Sequence, residues 1–164
     1  ANTGLEMDEL PVLQWTQAGA TFSGFEADAS WQTMNWQGGG LSLNAGFDVV
    51  TARLNSGTNR NIPRIPPQRL RLGAVMDWNG WLAEVSWRRV SDQNDTGLGE
   101  IRTEGFDDLR LHVNYTMDIG RGSVELFLSG RNLTDDEQRY HTTFIKDLAP
   151  QPGRTVEAGA RVYF

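Results

Sequence analysis

Residues 156–164 read Val156-Glu157-Ala158-Gly159-Ala160-Arg161-Val162-Tyr163-Phe164, and their side chains alternate between two kinds. Every second residue is apolar: Val156, Ala158, Ala160, Val162 and Phe164. The residues between them are Glu157, Gly159, Arg161 and Tyr163. Successive side chains of a β-strand point to opposite faces, so this period of two predicts a strand with one apolar and one polar face.

The same alternation recurs through most of the chain and predicts an all-β fold. Apolar residues fall on one parity in the segments 124–131, 109–117, 81–88, 69–78 and 41–49. In residues 11–34 apolar residues also recur on one parity, so we predict one long strand there, half of which is polar. A hairpin at Gln17-Ala18-Gly19-Ala20 would divide that strand. The sequence therefore predicts seven long antiparallel strands, or eight if the hairpin forms.

The connections between these strands alternate in length. Short connections are predicted at residues 37–40, 79–80 and 119–122, and long polar ones at 55–68, 91–105 and 134–154. Asn79-Gly80 between Trp78 and Trp81 is typical of a two-residue hairpin turn in which both central residues have positive φ. Short turns at one end and long loops at the other are typical of an outer-membrane β-barrel.

Composition excludes several classes of protein. The 164 residues include no cysteine and no apolar run near the about 20 residues that a membrane-spanning helix needs. The net charge of -6 and the presence of one lysine, Lys146, argue against binding to nucleic-acid phosphates. The mean hydropathy of -0.47 is compatible with a barrel wall, because only alternate positions of its strands face lipid. The first residue is Ala1, so a processed protein and a fragment are both open.

A soluble β-sandwich also has alternating strands, and strand length separates it from a barrel wall. Soluble strands most often have about 5–6 residues, whereas a tilted strand needs about 9–11 residues to cross a bilayer. Most of the predicted segments have the longer length. Their polar parity also carries charges at mid-strand, which a dry core would not tolerate, at Asp48, Arg71, Glu84, Arg110 and Glu125.

The C-terminal part of the chain carries short motifs in a fixed order. These are Asn132-Leu133-Thr134-Asp135-Asp136, then Lys146-Asp147-Leu148-Ala149-Pro150-Gln151-Pro152-Gly153-Arg154, and finally Phe164. This order resembles the C-terminus of a TonB-dependent outer-membrane receptor. Leu10-Pro11-Val12 followed by Gly24-Phe25-Glu26-Ala27 resembles another barrel segment of the same family, so the resemblance covers nearly the whole chain.

The resemblance implies a transmembrane barrel of about 22 strands around an N-terminal plug domain, in the bacterial outer membrane. Residues 1–164 would be a C-terminal part of that barrel wall, without the plug. The implied function is uptake of a metal, haem or a metal chelate such as a siderophore, driven by TonB through the missing plug. The other implied partners are outer-membrane lipid and the barrel assembly machinery. No catalytic arrangement stands out, so we expect neither enzyme activity nor a cofactor.

The candidate functional residues lie in the last loop and the last strand. His141 and Asp147 are candidate contacts for the metal-containing ligand, but one imidazole among scattered carboxylates has no spacing that identifies a metal. In the last strand, the resemblance implies that Gly159, Val162 and Phe164 belong to the signal read by the assembly machinery. A last strand must present an unpaired edge and an apolar face before it closes the sheet.

Two other interpretations of the pattern stay open at this point. The first is a complete small barrel of eight strands with a structural or adhesive role. Pairing of the first strand with the last would favour it. The second is a soluble β-sandwich that binds a ligand, in which Leu111, Val113, Leu126, Leu128 and Val162 would lie in a dry interior between two packed layers.

Overall fold

Residues 2–7, 10–13 and 17–164 are described by a computed structural model of the protein. Its strands are β1 (Asn2–Met7), β2 (Leu10–Leu13), β3 (Ala20–Trp36), β4 (Gly39–Leu54), β5 (Arg69–Trp78), β6 (Trp81–Val90), β7 (Phe106–Ile119), β8 (Gly122–Arg131) and β9 (Thr155–Tyr163). Strands β1 and β2 pair with each other, and β3 to β9 form one antiparallel sheet of seven strands in sequence order. Within these residues, no helix is long and apolar enough to cross a membrane.

The predicted all-β fold with long antiparallel strands is confirmed. The strands that form the sheet have 9 to 17 residues, so each is long enough for a tilted bilayer crossing, which needs about 9–11 residues. The connections fall where the sequence predicts them, because turn residues end each alternating run. Asn79 has a φ of 45° and Gly80 a φ of 87°, so both residues of the predicted hairpin turn have positive φ.

The prediction of a single strand over residues 11–34 is wrong. Strand β2 ends at Leu13, residues 17–19 are not in a strand, and β3 begins at Ala20. The alternative hairpin at 17–20 is wrong too, because β2 pairs with β1 and not with β3. The reason lies in the partner strand: the ladder between β3 and β4 ends where Asn55 donates to the carbonyl of Gly19 and loop residues follow. A strand extends only as far as its neighbour can pair with it.

A bulge in β3 preserves the separation of the two faces. The register between β3 and β4 shifts between Gln32 and Met34, and Thr33 is the extra residue. Its hydroxyl donates to the carbonyl of Leu41 at 3.0 Å. The extra residue changes the parity, so Trp31, Met34 and Trp36 all lie on the apolar face.

The register of the six ladders between β3 and β9 carries this separation across the whole sheet. One row of directly paired residues is apolar from β3 to β9: Met34, Leu41, Met76, Ala83, Val113, Leu128 and Ala158. The next row lies on the opposite face and is polar except at one position: Gln32, Ser42, Val75, Glu84, His112, Ser129 and Glu157. The sheet therefore has one apolar face and one polar face along its full width.

The height of the apolar face matches a bilayer. On β4, the apolar parity takes ten residue steps from Gly39 to Val49. At about 3.4 Å a step and a tilt of about 45°, these steps span about 24 Å, close to the apolar band of about 25 Å on outer-membrane barrels. Near the short turns this face carries Trp36, Trp78, Trp81 and Tyr115, and the rings of Trp81 and Tyr115 stack at 4.6 Å. Aromatic side chains are enriched at this level of a membrane.

The apolar side chains of the sheet do not form a dry interior. Leu128 is 43% exposed and Val162 is 55% exposed. The buried apolar side chains of the described residues are Ala52, Val90 and Phe106, all near the long loops. Across residues 2–7, 10–13 and 17–164, no second layer packs on the sheet, which excludes the β-sandwich. In the same residues β3 and β9 are the two edges of the sheet and do not pair, which contradicts the closed barrel of eight strands.

An arginine should be tolerated on the polar face of this sheet and not on the apolar face. We expect Leu128→Arg to lower the free energy of unfolding in phospholipid vesicles by about 2–4 kcal/mol, because the cation would lie in hydrocarbon. Val75→Arg is the matched control. It lies on the polar face opposite Glu84 and should change stability by less than about 1 kcal/mol. Urea unfolding followed by tryptophan fluorescence measures both, and equal losses would contradict the assignment of the two faces.

Candidate functional site

Three long connections lie together at the end of the sheet opposite the short turns. They are loop 1 (residues 55–68), loop 2 (residues 91–105) and loop 3 (residues 132–154). Loop 2 is itself a hairpin, in which Gln93 and Thr103 exchange backbone hydrogen bonds of 2.9 and 3.2 Å. The side-chain amide of Gln93 donates to the backbone carbonyl of Ile65 in loop 1 at 3.0 Å, so this hydrogen bond joins the two loops.

Residues of the Asn-Leu-Thr-Asp motif close the base of loop 3. Asn132, at a φ of 47°, donates from its side chain to the carbonyls of Asp136 at 3.0 Å and Pro152 at 3.3 Å. The carboxylate of Asp135 accepts from the backbone N–H of Arg154 at 3.0 Å and from its guanidinium at 2.9 Å. These bonds, the backbone bond first, hold the pKa of Asp135 below its usual value. The motif residues thus join the two ends of the loop.

Loop 3 then folds over the polar face of the sheet. The ring of Tyr140 packs against Phe106, with 5.9 Å between centroids, and its hydroxyl accepts from Arg88 at 3.2 Å. Beneath it, Asp108 accepts hydrogen bonds of 2.9 Å from both Arg88 and Arg110. Sheet and loop therefore share a small core, of which Phe106 is the largest buried apolar side chain.

The carboxylate of Glu100 joins all three loops. One oxygen accepts from the backbone N–H of Arg64 in loop 1 at 2.8 Å and from the ammonium of Lys146 in loop 3. The other oxygen accepts from the N–H of Gly97 in its own loop 2 at 2.9 Å. The side chains of Glu100 and Lys146 are only 6% and 7% exposed. The attraction within a buried ion pair offsets the loss of hydration only when further hydrogen bonds satisfy both partners, as they do here.

His141 completes this cluster from loop 3. Its side chain is fully buried, with Nδ1 3.0 Å from the hydroxyl of Thr103. Its Nε2 lies 3.2 Å from Glu100 and 3.3 Å from the ammonium of Lys146. The same ammonium donates to the carbonyl of His141 at 3.0 Å. We call the side chains of Glu100, Thr103, His141 and Lys146 the loop cluster.

Burial and hydrogen bonds shift two pKa values in the loop cluster. Burial alone would raise the pKa of Glu100, but the bond from Lys146 and those from the backbone N–H groups of Gly97 and Arg64 outweigh it and lower the pKa to about 2. Burial first, and then the charge of Lys146, lower the pKa of His141 from its usual 6.5, against the opposite effect of Glu100. At neutral pH the cluster therefore holds a carboxylate, an ammonium and a neutral imidazole.

Two open pockets lie beside the loop cluster. The tip pocket, about 360 Å³, is lined by residues 63–64, 98–101, 143–144 and 146–147. At its rim the guanidinium of Arg64 lies 3.7 Å from the centre of the Phe144 ring, and this ring is 85% exposed. The side pocket, about 680 Å³, is lined by residues 101–105, 136–137, 139 and 147 and includes the acidic residues Glu104, Asp136, Glu137 and Asp147.

The structure separates the two ligand contacts predicted in loop 3. Asp147 is exposed and lines both pockets. His141 is buried in the loop cluster, and its contact with a ligand stays a prediction. No group of three or more His, Cys, Asp or Glu side chains in the described part of the chain could hold a metal ion. Sequence reasoning missed Glu100, because no local pattern predicts its contact with Lys146, which lies 46 residues further along the chain.

Of the three residues of the predicted assembly signal, Gly159 and Val162 lie on opposite faces of β9, and Phe164 directly follows this strand. Val162 and Phe164 are exposed, and Val162 pairs with Val124 on the apolar face. Gly159 is on the polar face, where a β-carbon would come within 2.6 Å of the Phe127 ring. That ring stacks under the guanidinium of Arg161 at 4.5 Å. Glycine at this position therefore makes room for an aromatic ring of the neighbouring strand.

The comparisons with known proteins give a family and a shared fold. A family model described as "TonB dependent receptor-like, beta-barrel" matches residues 2–133. Among solved structures, the copper transporter OprC superimposes with a TM-score of 0.72 over 91% of this chain, at 24% sequence identity. The chain covers 24% of the length of that transporter, and at this identity the similarity shows the fold alone. No match to a curated protein was found.

Removal of the lysine from the loop cluster should separate the loops. Lys146→Met would leave Glu100 buried without its cation, which costs about 3–5 kcal/mol. Arg154→Met is the matched control: it removes a cation from the same loop, but its ion pair with Asp135 is half exposed and contributes little to stability. Amide hydrogen exchange at neutral pH should rise in all three loops only for Lys146→Met. Protected loops in this variant would contradict the assigned role of the loop cluster.

Proposed function

Since this chain belongs to the TonB-dependent receptor β-barrel family, we propose that it forms part of the wall and outer loops of a receptor that takes up a metal, haem or metal chelate. Members of this family are receptors and transporters of the outer membrane of Gram-negative bacteria and not enzymes. The observation that carries the proposal is the two-faced single sheet, whose long loops fold together at one end around two open pockets.

In this proposal, residues 1–164 are a C-terminal part of the barrel wall. The plug domain, and through it the contact with TonB, would belong to other parts of the receptor. The apolar face would contact outer-membrane lipid, while the polar face would line the lumen. Ion pairs such as Arg71 with Asp28 at 3.0 Å support a hydrated lumen, because paired charges are stable on a wetted surface.

We propose the two pockets as the part of this chain that meets the ligand. Both are open, they lie at the loop end of the sheet, and they share Asp147. The side pocket offers carboxylates and the guanidinium groups of Arg102 and Arg139, and the tip pocket adds the exposed ring of Phe144. Such a mixture suits the charged and aromatic periphery of a chelate or haem. The fold shared with a copper transporter is compatible with a metal-containing ligand.

Removal of the charge at Asp147 should weaken uptake. We expect Asp147→Asn to reduce ligand affinity by about tenfold, the effect of one lost charge-assisted hydrogen bond. Asp118→Asn is the matched control, because Asp118 is an exposed carboxylate near the short turns. Cells that carry the receptor would be tested for TonB-dependent uptake of a panel of labelled ferric siderophores, haem and free metal ions. Unchanged uptake of every transported ligand would remove Asp147 from the site.

We also propose that Val162 and Phe164 help the assembly machinery to recognise β9. Phe164→Ala should lower the amount of folded receptor in the outer membrane severalfold, while spontaneous folding into detergent micelles stays unchanged. Tyr163→Ala is the control, because Tyr163 lies on the polar face and pairs with Ser123. Heat-modifiable mobility on gels measures the folded fraction in both settings. An equal loss of folding in micelles would indicate a purely structural role for Phe164.

A further inference from the structure

The loop cluster contains one group that can change its charge between neutral and mildly acidic pH. At neutral pH its charges balance, because Glu100 and Lys146 form an ion pair and His141 is neutral. The single carboxylate already accepts hydrogen bonds from Lys146 and two backbone N–H groups. A proton on His141 would therefore add a buried positive charge without a further anion to balance it.

On its other side, His141 lies beside arginine side chains. The ring lines a small cavity of about 120 Å³, together with the charged residues Arg69, Arg88 and Arg139 and with Tyr140. Arg69 and Arg88 are paired with Asp48 and Asp108, whereas Arg139 is paired with Glu137. Each of these carboxylates already forms an ion pair with an arginine, and none of them lines the cavity, so no further anion lies there to balance an imidazolium. A buried charge without a partner destabilises the state that buries it.

We propose that the loop cluster is an acid-released latch, which holds the three outer loops together at neutral pH and lets them separate when His141 takes up a proton. Separation would bring water to the imidazolium and would widen the tip pocket and the side pocket. Only the loops of this chain take part in the latch, so it should respond to pH whether or not a ligand is bound.

The sign of the pH dependence follows from the direction of the pKa shift. The pKa of His141 in the closed loops lies below the value of 6.5 that it has in water, so the closed state favours the neutral imidazole. The latch is therefore fully closed above pH 6.5 and weakens as the pH falls below it, by up to tenfold in the opening equilibrium per pH unit. Glu100, with a pKa of about 2, stays charged down to pH 5.

The separation between loop 2 and loop 3 tests the proposal. Spin labels on Leu98→Cys and Leu148→Cys, both highly exposed, report this distance in the full receptor in lipid, in an otherwise cysteine-free background. We expect a narrow distance distribution at pH 7.5 and a broader, longer one at pH 5.0. The unlabelled protein should show a parallel rise in hydrogen exchange of the loops. A distribution that is unchanged between these pH values would overturn the proposal.

Three variants identify the group that responds. His141→Gln cannot take up a proton and should stay closed at pH 5.0, whereas His112→Gln, which changes the other histidine of the chain, should open like the parent. Lys146→Met should reverse the response. Its loops should be separated at pH 7.5 and should come together at pH 5.0, because the imidazolium of His141 then replaces the lost ammonium beside Glu100. If the loops of His141→Gln are already separated at pH 7.5, that variant cannot report on the proton, and the pH response of Lys146→Met tests the proposal. Acid opening in both His141→Gln and Lys146→Met would assign the response to another group and overturn the latch.

Discussion

The structure depends on one constraint, the register of the backbone ladders between β3 and β9. In a β-sheet, a slip of one residue moves every side chain of a strand to the opposite face. Because the six ladders keep their register, apolar residues lie beside apolar residues from Met34 to Ala158. The bulge at Thr33 also keeps apolar side chains on one face, because it shifts the parity of β3 so that Met34 and Trp36 lie on the apolar face. The ladders also satisfy the backbone polar groups, which hydrocarbon could not do.

The loops are stabilised in a different way, because they bury little apolar surface: Leu98, Phe144 and Leu148 stay largely exposed. They are held by charged and polar side chains, above all by the buried carboxylate of Glu100 and the side chain of Asn132. Interactions of this kind are directional and depend on every partner being present. The loop end of the sheet can therefore be well ordered and still sensitive to a single change of charge, whereas the apolar face depends on area and tolerates exchange among apolar residues.

This difference between the two parts of the molecule fits the function that we propose. A barrel wall must be stable in the membrane whatever ligand is present, and its long ladders provide that stability. The loops must meet a ligand and then release it, which requires elements with lower stability than the wall. The pockets lie between residues of different loops, so any movement of one loop relative to another changes their shape.

The sequence by itself determined the fold of the sheet. Alternation with a period of two is local, so the strands from Leu41 to Phe164, the hairpin turn at Asn79-Gly80 and the long loops could be predicted from the order of residues. The extent of β3 could not, because a strand ends where its neighbour stops pairing, and that depends on Asn55. The loop cluster was also invisible to the sequence, since Glu100 and Lys146 are 46 residues apart. Only the tertiary structure decided that His141 is buried between them, because contacts between distant loops follow no local period.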